Sequence, residues 1–150
     1  MRLKRFFWIA STTVLLIVSQ TFRLNFSMPL AASPVVAQTS DARKAEAARL
    51  LQQGNQQLQT SQFEAAKQSF QQALAIYREM GDSPNSDSFA SRTGEGKALV
   101  YLGLAYFALQ DYAKVIDYME PGLAIAQAIN DPQLEKVARE VLSLAQQANA

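Results

Sequence analysis

The sequence predicts an all-α protein, an α-α superhelix made of two helix pairs and one terminal helix. Three observations support this fold class. Hydrophobic residues recur at the spacing of an α-helix, and no segment shows the alternation of a strand. Part of the chain repeats at a fixed offset. Residues that commonly begin and end helices stand at the expected helix boundaries.

Two copies of one helix pair emerge when the chain is aligned with itself. Residues 63–82, FEAAKQSFQQALAIYREMGD, align with residues 112–131, YAKVIDYMEPGLAIAQAIND, at an offset of 49. The same offset aligns Gly54 with Gly103, a glycine inside an apolar run. An interior glycine costs a helix about 1 kcal/mol relative to alanine, so we expect a second helix to approach the backbone closely at Gly103.

A third, partial copy follows the second. At an offset of 40, residues 135–145 align with residues 95–105 as the first helix of a further unit. The difference of nine residues between the offsets predicts an insertion at residues 83–91, where Pro, Asn, Asp and Ser indicate a longer loop. The expected elements are repeats at about residues 47–80 and 96–129 and a terminal helix at about residues 132–148.

Capping residues mark the predicted helix starts. Ser61 and Glu64 match the capping-box pattern ahead of the second helix. Asp111 is placed to cap the fourth helix. Asp131 followed by Pro132 supplies an N-cap and a first-turn proline for the fifth helix.

Gly81 and Asn130 are predicted to end helices, and Pro121 is predicted to distort one. Gly81 and Asn130 stand where a left-handed residue commonly closes a helix. Pro121 falls inside the fourth helix, where it removes an amide donor and clashes with the carbonyl of Asp117. We therefore expect a kink at this proline rather than a break.

The composition excludes several classes of function. The 150 residues include no Cys and no His, which removes disulfides, Cys/His metal sites, thiol nucleophiles and the commonest general base. Residues 1–37 contain four basic and no acidic residues, which leaves ten basic and 13 acidic residues in residues 38–150, a net charge of −3. We expect no enzyme activity, no cofactor, no metal and no nucleic-acid partner. The carboxylates examined for acid–base chemistry are interpreted as caps and surface charges: Glu64, Glu79, Asp111 and Asp117.

The N-terminal segment, residues 1–37, has the order of a secretory signal peptide: a basic start, a short apolar stretch and a small-residue exit. We expect cleavage between Ala37 and Gln38. The alternative is an uncleaved membrane anchor at residues 6–22, which would be the chain's contact with a membrane. Either interpretation places the helical domain, residues 38–150, in an exported compartment such as the periplasm, the thylakoid lumen or the extracellular space.

The repeat resembles the tetratricopeptide repeat (TPR), whose pattern places small residues where its two helices touch and large ones between them. The matching residues are Gly54, Ala66, Ala73 and the large Phe70 in the first unit, and Leu102, Gly103, Tyr106 and Gly122 in the second. Four positions depart from the family pattern, at Gln57, Val115, Met119 and Pro121, and the proline is the most disruptive of them. The resemblance implies a short TPR-like solenoid.

The same residues are also similar to exported repeat arrays of cyanobacterial type that often precede a caspase-like CHAT domain. The Cys and His of that protease are missing from these 150 residues, so no catalytic residue can be carried over. The resemblance therefore implies a repeat module without the CHAT domain.

In the TPR family the concave surface is lined by first-helix residues and binds proteins. The corresponding positions here are Gln52, Asn55, Gln59, Lys97, Tyr101, Leu104 and Ala108. The resemblance implies a non-catalytic adaptor or scaffold that binds a peptide or partner helix in this groove. A clamp for terminal carboxylates is not expected, because Leu51 and Tyr101 stand where that clamp needs Lys and Asn.

Two further groups of residues carry alternative interpretations. The aromatic residues are expected to pack in the core rather than bind a ligand: Tyr101, Tyr106, Phe107, Tyr112 and Tyr118. The terminal helix has apolar residues that, if uncovered, would make the protein a self-associating module: Leu134, Val137, Val141, Leu142 and Leu144.

Overall fold

The computed structural model describes residues 34–83 and 87–149, and this part of the chain is all-α. Its five helices are α1 Pro34–Gln59, α2 Phe63–Gly81, α3 Ser88–Ala108, α4 Tyr112–Ala128 and α5 Pro132–Ala148. The predicted repeats fall on the hairpins α1–α2 and α3–α4, and the predicted terminal helix is α5. The fold class predicted from the sequence is confirmed.

The predicted signal peptide or anchor lies almost entirely outside the described residues. Residues 34–37, the last four before the predicted cleavage site, form the start of α1. Within the described part of the chain, no helix has the length and apolar character needed to cross a membrane.

The helices form two layers. Each helix packs against the next along the chain, and α1 also contacts α3 as α3 contacts α5. Over the described residues, α2 and α4 do not contact each other. Neighbouring helices are therefore closer together in the layer of α1, α3 and α5 than in the layer of α2 and α4. This difference makes the layer of α1, α3 and α5 the concave side of the stack.

The central helix α3 joins two hydrophobic cores. The first core lies between α1, α2 and α3 and includes Phe70 and Leu99. The second lies between α3, α4 and α5 and includes Val100 and Met119. Leu99 and Val100 are adjacent in sequence yet belong to different cores, so α3 is covered on two neighbouring faces about 100° apart. This helix supplies the rigid centre on which both hairpins stack.

The two aligned glycines are the points of closest approach inside each hairpin. A Cβ at Gly103 would lie 2.7 Å from Cε and Cγ of Met119 on α4. A Cβ at Gly54 would lie 2.7 Å from Cδ1 and Cζ of Phe70 on α2. The expectation that a second helix presses on the backbone at Gly103 is confirmed, and each hairpin pairs one glycine with one large buried side chain.

Three of the four connections between the helices have the same turn conformation. Residues 60–62, 109–111 and 129–131 each place a left-handed residue in the middle: Ser61 with φ 59°, Gln110 with φ 62° and Asn130 with φ 55°. The next amide then bonds to the carbonyl five residues back, as Asp131 N does to Ala126 O at 3.0 Å. This is the Schellman motif, which satisfies the last carbonyls of the preceding helix. The expectation for Asn130 is confirmed.

The predicted starts of α4 and α5 are confirmed, whereas that of α2 is wrong. Asp111 accepts a hydrogen bond from the amide of Lys114 at 3.2 Å, and Asp131 accepts one from Leu134 at 3.0 Å. Helix α2 instead has Gln62 as its N-cap, with no side-chain hydrogen bond to the cap. Ser61 cannot cap α2 because it is the left-handed residue that ends α1.

The predicted left-handed stop at Gly81 is also wrong. Gly81 is the last residue of α2 and does not have a positive φ. The amide of Asp82 continues the helical pattern with a bond to the carbonyl of Arg78 at 3.1 Å. The connection to α3 is longer than the three-residue turns, so the chain has no need to reverse direction at this glycine.

The nine-residue insertion is only partly a loop. Helix α3 begins at Ser88 and is capped by Asp87, whose carboxylate accepts a hydrogen bond from the amide of Ala90 at 3.2 Å. The segment from α2 to α3 can be compared with the segment from α4 to α5. Helix α2 is two residues longer than α4, the connection is three residues longer, and α3 is four residues longer than α5. The prediction of a loop over residues 83–91 is therefore wrong beyond Asp87, because a cap starts the helix there.

Pro121 lies inside α4, which remains one helix from Tyr112 to Ala128. The proline is exposed, while the next residue, Gly122, is buried against Val100 of α3. The proline ring thus occupies the solvent side of the helix and leaves the packed side intact. The helix is not broken, as expected, and the kink stays a prediction.

Candidate functional site

The predicted groove residues lie on two neighbouring helices of the concave layer. Their exposure differs along each helix, since Gln52, Gln59 and Ala108 are exposed and the remaining four are half-buried. On each helix they recur at three- and four-residue steps, so they form one row of side chains on one face. The two predicted rows are Gln52, Asn55 and Gln59 on α1 and Lys97, Tyr101, Leu104 and Ala108 on α3.

A third row on α5 continues this face. The offset of 40 places four residues of α5 at the positions of the α3 row: Val137, Val141, Leu144 and Ala148. Val137 is 37% exposed and Leu144 is 51% exposed, and Phe89 is the remaining large hydrophobic residue that is exposed in the described chain. This row was not predicted, because Val137, Val141 and Leu144 were assigned to one apolar face together with Leu134. The offset of 40 separates them, since it aligns Leu134 with Gly94 and not with a groove residue of α3.

The core fixes the floor of the groove. The ring of Tyr101 packs against Phe70 with ring centroids 5.4 Å apart, so its position is set by the first core. Leu104 and Val141 are partly buried against the second core. These side chains are therefore held in place before any partner arrives, which lowers the entropic cost of binding.

The groove face is nearly free of charge. The described residues form seven ion pairs, and none of them involves a residue of the three rows. The single charged residue in the rows is Lys97, which is half-buried and has no ion pair within the described chain. A neutral face with one lone cation differs sharply from the rest of this surface.

Most of the other charged residues of the described chain form ion pairs along the helix surfaces. Glu64 pairs with Lys67, and the carboxylate holds the pKa of that ammonium above its ordinary value. Lys114 pairs with Asp117 at 3.2 Å and its pKa is raised for the same reason. No group of acidic residues that could hold a metal ion occurs among the described residues.

The aromatic residues that were expected to pack in the core form pairs between helices. Tyr106 on α3 stacks on Tyr118 of α4 with ring centroids 5.3 Å apart, and Phe107 meets the edge of Tyr112 at 5.8 Å. Burial raises the pKa of Tyr106. These rings join neighbouring helices, as expected of core packing.

In the first hairpin a hydrogen bond occupies the place of the stacked tyrosines. The offset of 49 aligns Tyr106 with Gln57 and Tyr118 with Ser69. The hydroxyl of Ser69 donates to Oε1 of Gln57 at 2.7 Å. Gln57 departs from the TPR pattern, but its hydrogen bond with Ser69 compensates for the missing aromatic pair. The contact between the two helices of the hairpin is therefore kept.

Both ends of the stack present polar faces. In α3 the residues that meet α4 include Leu99, Gly103 and Tyr106, and the offset of 40 places exposed polar residues at these positions of α5: Arg139, Ser143 and Gln146. At the other end, Arg49 of α1 donates to both Glu46 and Gln53. Polar outer faces are typical of helices that cap a repeat stack.

A second concave feature lies where α2 connects to α3, with a volume of about 410 Å³. Arg78 and Glu95 contribute to its lining, and Nε of Arg78 donates to Glu95 at 2.9 Å. Asp82 and Arg92 also line this feature, so its lining is charged, and the neutral, partly apolar groove is the better candidate for a protein-binding site.

Comparison of the chain with models of protein families, with curated proteins and with solved structures gives no significant match. The function is therefore inferred from the geometry and chemistry of the chain itself.

Proposed function

We propose that this chain is a non-catalytic protein-interaction module of the TPR type, which binds a peptide or partner helix along the concave face of α1, α3 and α5. The observation that carries the proposal is the contrast in charge. This face contains Lys97 as its single charged residue, while seven ion pairs cover other parts of the described surface. A neutral, partly apolar and pre-ordered surface favours protein binding.

The packing supports the TPR part of the proposal. Each hairpin pairs a glycine of its first helix with a large residue of its second, at Gly54 with Phe70 and at Gly103 with Met119. The first helices of successive units contact one another and the second helices do not. This is the arrangement expected of a superhelical repeat whose first helices line a groove.

Export belongs to the same proposal and rests on the composition of residues 1–37. The adaptor or scaffold would act in the periplasm, the thylakoid lumen or the extracellular space, either released after Ala37 or anchored by residues 6–22. Fractionation of the host cell followed by N-terminal sequencing tests this. A mature chain that begins at Gln38 supports cleavage, and an intact N-terminus in the membrane fraction supports the anchor.

Self-association through the terminal helix is the second candidate, and the exposure of Val137 and Leu144 favours it. It has less support because the outer face of α5, where another helix would stack, carries Arg139, Ser143 and Gln146 in exposed positions. The apolar residues lie instead on the groove row. Light scattering of the purified chain distinguishes the two, since an adaptor remains monomeric.

The experiment for the main proposal is affinity capture from the exported fraction with the chain as bait. The groove variant carries Asn55→Ala and Lys97→Glu, and the matched control carries Ser143→Glu and Lys136→Glu on the outer face of α5. We expect a partner that the wild type and the control retain and the groove variant loses. Equal retention by all three folded baits would place the binding site on another face.

A further inference from the structure

The polarity of the groove changes across its three rows. The α1 row is Ala48, Gln52, Asn55 and Gln59, the α3 row is Lys97, Tyr101, Leu104 and Ala108, and the α5 row is Val137, Val141, Leu144 and Ala148. Side-chain amides therefore dominate the α1 side, while aliphatic side chains dominate the α5 side. A partner that crosses the groove would meet two chemically different halves.

The α5 half presents aliphatic side chains that the chain itself leaves open. Leu134 of the same helix is 7% exposed, whereas Leu144 is 51% and Val137 37% exposed. Val141 lies between the latter two and continues into the second core together with Leu104 of α3. The result is a continuous apolar strip along the line where α3 and α5 meet.

Lys97 supplies a charge at one edge of this strip. It precedes Tyr101 by one turn and occupies the position in α3 that Val137 occupies in α5. The residue is half-buried, and no carboxylate of the described chain forms an ion pair with it. A carboxylate from a partner is the group that would complete this position.

We propose that the α3–α5 half of the groove binds an amphipathic helix of a partner protein. Apolar side chains at positions i, i+4 and i+7 of that helix pack on Val137, Val141 and Leu144, and an adjacent carboxylate pairs with Lys97. This inference rests on the proposed function and assigns the partner's chemistry and the part of the groove that it contacts.

The spacing of the strip favours a helix as the occupant. From Val137 to Ala148 the row extends along α5 for about 16 Å, or three helical turns. Its residues recur at the period of an apolar helix face, so the ridge of another helix can follow it. The row is long enough to specify three successive anchor residues of a partner.

An extended peptide fits the other half better. Its backbone amides and carbonyls need hydrogen-bond partners when they are removed from water. The side-chain amides that could bond to them, on Gln52, Asn55 and Gln59, belong to α1. A helix satisfies its own backbone and can therefore lie on the aliphatic strip, which offers no such groups.

A second copy of this chain is a poorer occupant. Pairing α5 with its copy about a two-fold axis would bring two Lys97 residues to the same interface. Glu140, which precedes Val141 in α5, lies 4.0 Å from Lys136, so a copy would offer Lys97 a carboxylate that already has a neighbouring cation.

A peptide-display experiment tests the inference directly. Random 16-residue peptides are selected on the immobilised full chain and, in parallel, on its Lys97→Glu variant. On the wild type we expect enrichment of apolar residues at helical spacing together with Asp or Glu. On Lys97→Glu we expect the acidic residue to be replaced by Lys or Arg while the apolar spacing is unchanged.

Affinity measurements on one enriched peptide then locate the contact. In fluorescence anisotropy, Leu144→Glu is expected to weaken binding at least tenfold, while Ser143→Glu, its exposed neighbour on the outer face, changes it less than twofold. Both positions are exposed, so circular dichroism should show unchanged helix content for each variant.

The outcomes separate this inference from the proposed function. No enrichment, enrichment without helical spacing, or the same charge preference on Lys97→Glu would overturn the inference. Peptides that are lost on Asn55→Ala but retained on Leu144→Glu would keep the groove and reject the helix site. Binding that survives every groove variant would reject both, and a dimer that Leu144→Glu dissociates would identify a second copy as the occupant.

Discussion

Substitution of Gly54 by alanine tests the close packing that defines each hairpin. The added Cβ would lie 2.7 Å from Cδ1 and Cζ of Phe70, well inside van der Waals contact. The Phe70 side chain is fully buried and its ring is rigid, so it cannot turn aside into solvent. Helices α1 and α2 must therefore separate, or the ring must leave its preferred rotamer.

The expected cost follows from two opposing effects. Overpacking a well-filled core destabilises a protein by about 1–3 kcal/mol. Replacing an interior helical glycine by alanine returns about 1 kcal/mol of helix propensity. We therefore expect Gly54→Ala to lower the free energy of unfolding by up to about 2 kcal/mol. The measurement is urea unfolding at 25 °C followed by far-ultraviolet circular dichroism.

Gly81→Ala provides the matched control. No atom of the described residues lies within 4 Å of a Cβ placed at Gly81, so the same substitution should raise the free energy of unfolding by up to about 0.5 kcal/mol. Gly54→Ala combined with Phe70→Met should recover part of the loss, because the flexible methionine side chain, which occupies the aligned position 119 of the second hairpin, can move away from the new methyl group. A Gly54→Ala protein as stable as Gly81→Ala would refute the close approach of α1 to α2.

Further predictions concern the turns and one buried tyrosine. Asp131→Ala should lower the free energy of unfolding by about 1 kcal/mol because the amide of Leu134 loses its acceptor, whereas Ser61→Ala should change it by less than about 0.5 kcal/mol; urea unfolding compares the two, and equal losses would contradict the corrected start of α2. Gln110→Gly should stabilise the protein by up to about 1 kcal/mol, since glycine adopts the left-handed conformation without strain; no gain in the unfolding midpoint would count against that conformation. Burial raises the pKa of Tyr77, so the folded state holds this proton more tightly than the unfolded state. Stability from this group is present below about pH 10 and is lost as the pH rises through the raised pKa. Tyr77→Phe should therefore lose less stability between pH 9 and 11 than the wild type, and parallel losses in pH-dependent unfolding would show that Tyr77 is not responsible.

The repeat offsets predicted most of the fold because packing between helices constrains aligned positions. Gly54 and Gly103 align because each must admit a large side chain from the opposite helix. Asp111 and Asp131 were found because an N-cap depends on a short local pattern. Such signals depend on few residues and are therefore readable in a single sequence.

The errors arose where one residue can serve two local roles. Ser61 matches a capping box, but the same offset aligns it with Gln110, and both residues are left-handed. The turn that ends one helix fixes its middle residue and moves the N-cap to the next position, which is Gln62 in one repeat and Asp111 in the other. Comparing the two turns would have corrected the prediction, whereas the isolated pattern could not.

The groove residues were harder to predict than the helices. The rows on α1 and α3 came from a family resemblance, while the α5 row was overlooked because its residues were counted as one apolar face. Val137 and Leu142 lie about 140° apart around the helix, which is too wide for a single face. The burial of Leu134 and the exposure of Leu144 separate the core face from the groove row.

The packing between successive units constrains pairs of residues rather than single positions. Between α2 and α3, Tyr77 fills the space that Gly94 leaves. The offset of 49 aligns Tyr77 with Ala126, and the offset of 40 aligns Gly94 with Leu134, so the second junction reverses the sizes of the two partners. Ala126 and Leu134 are both buried in the second core. The combined volume at each junction is kept while both residues change, so the packing constrains the pair more tightly than either residue. Exposed residues of the groove rows, such as Gln52 and Leu144, belong to no such pair, so the packing between units does not fix their polarity.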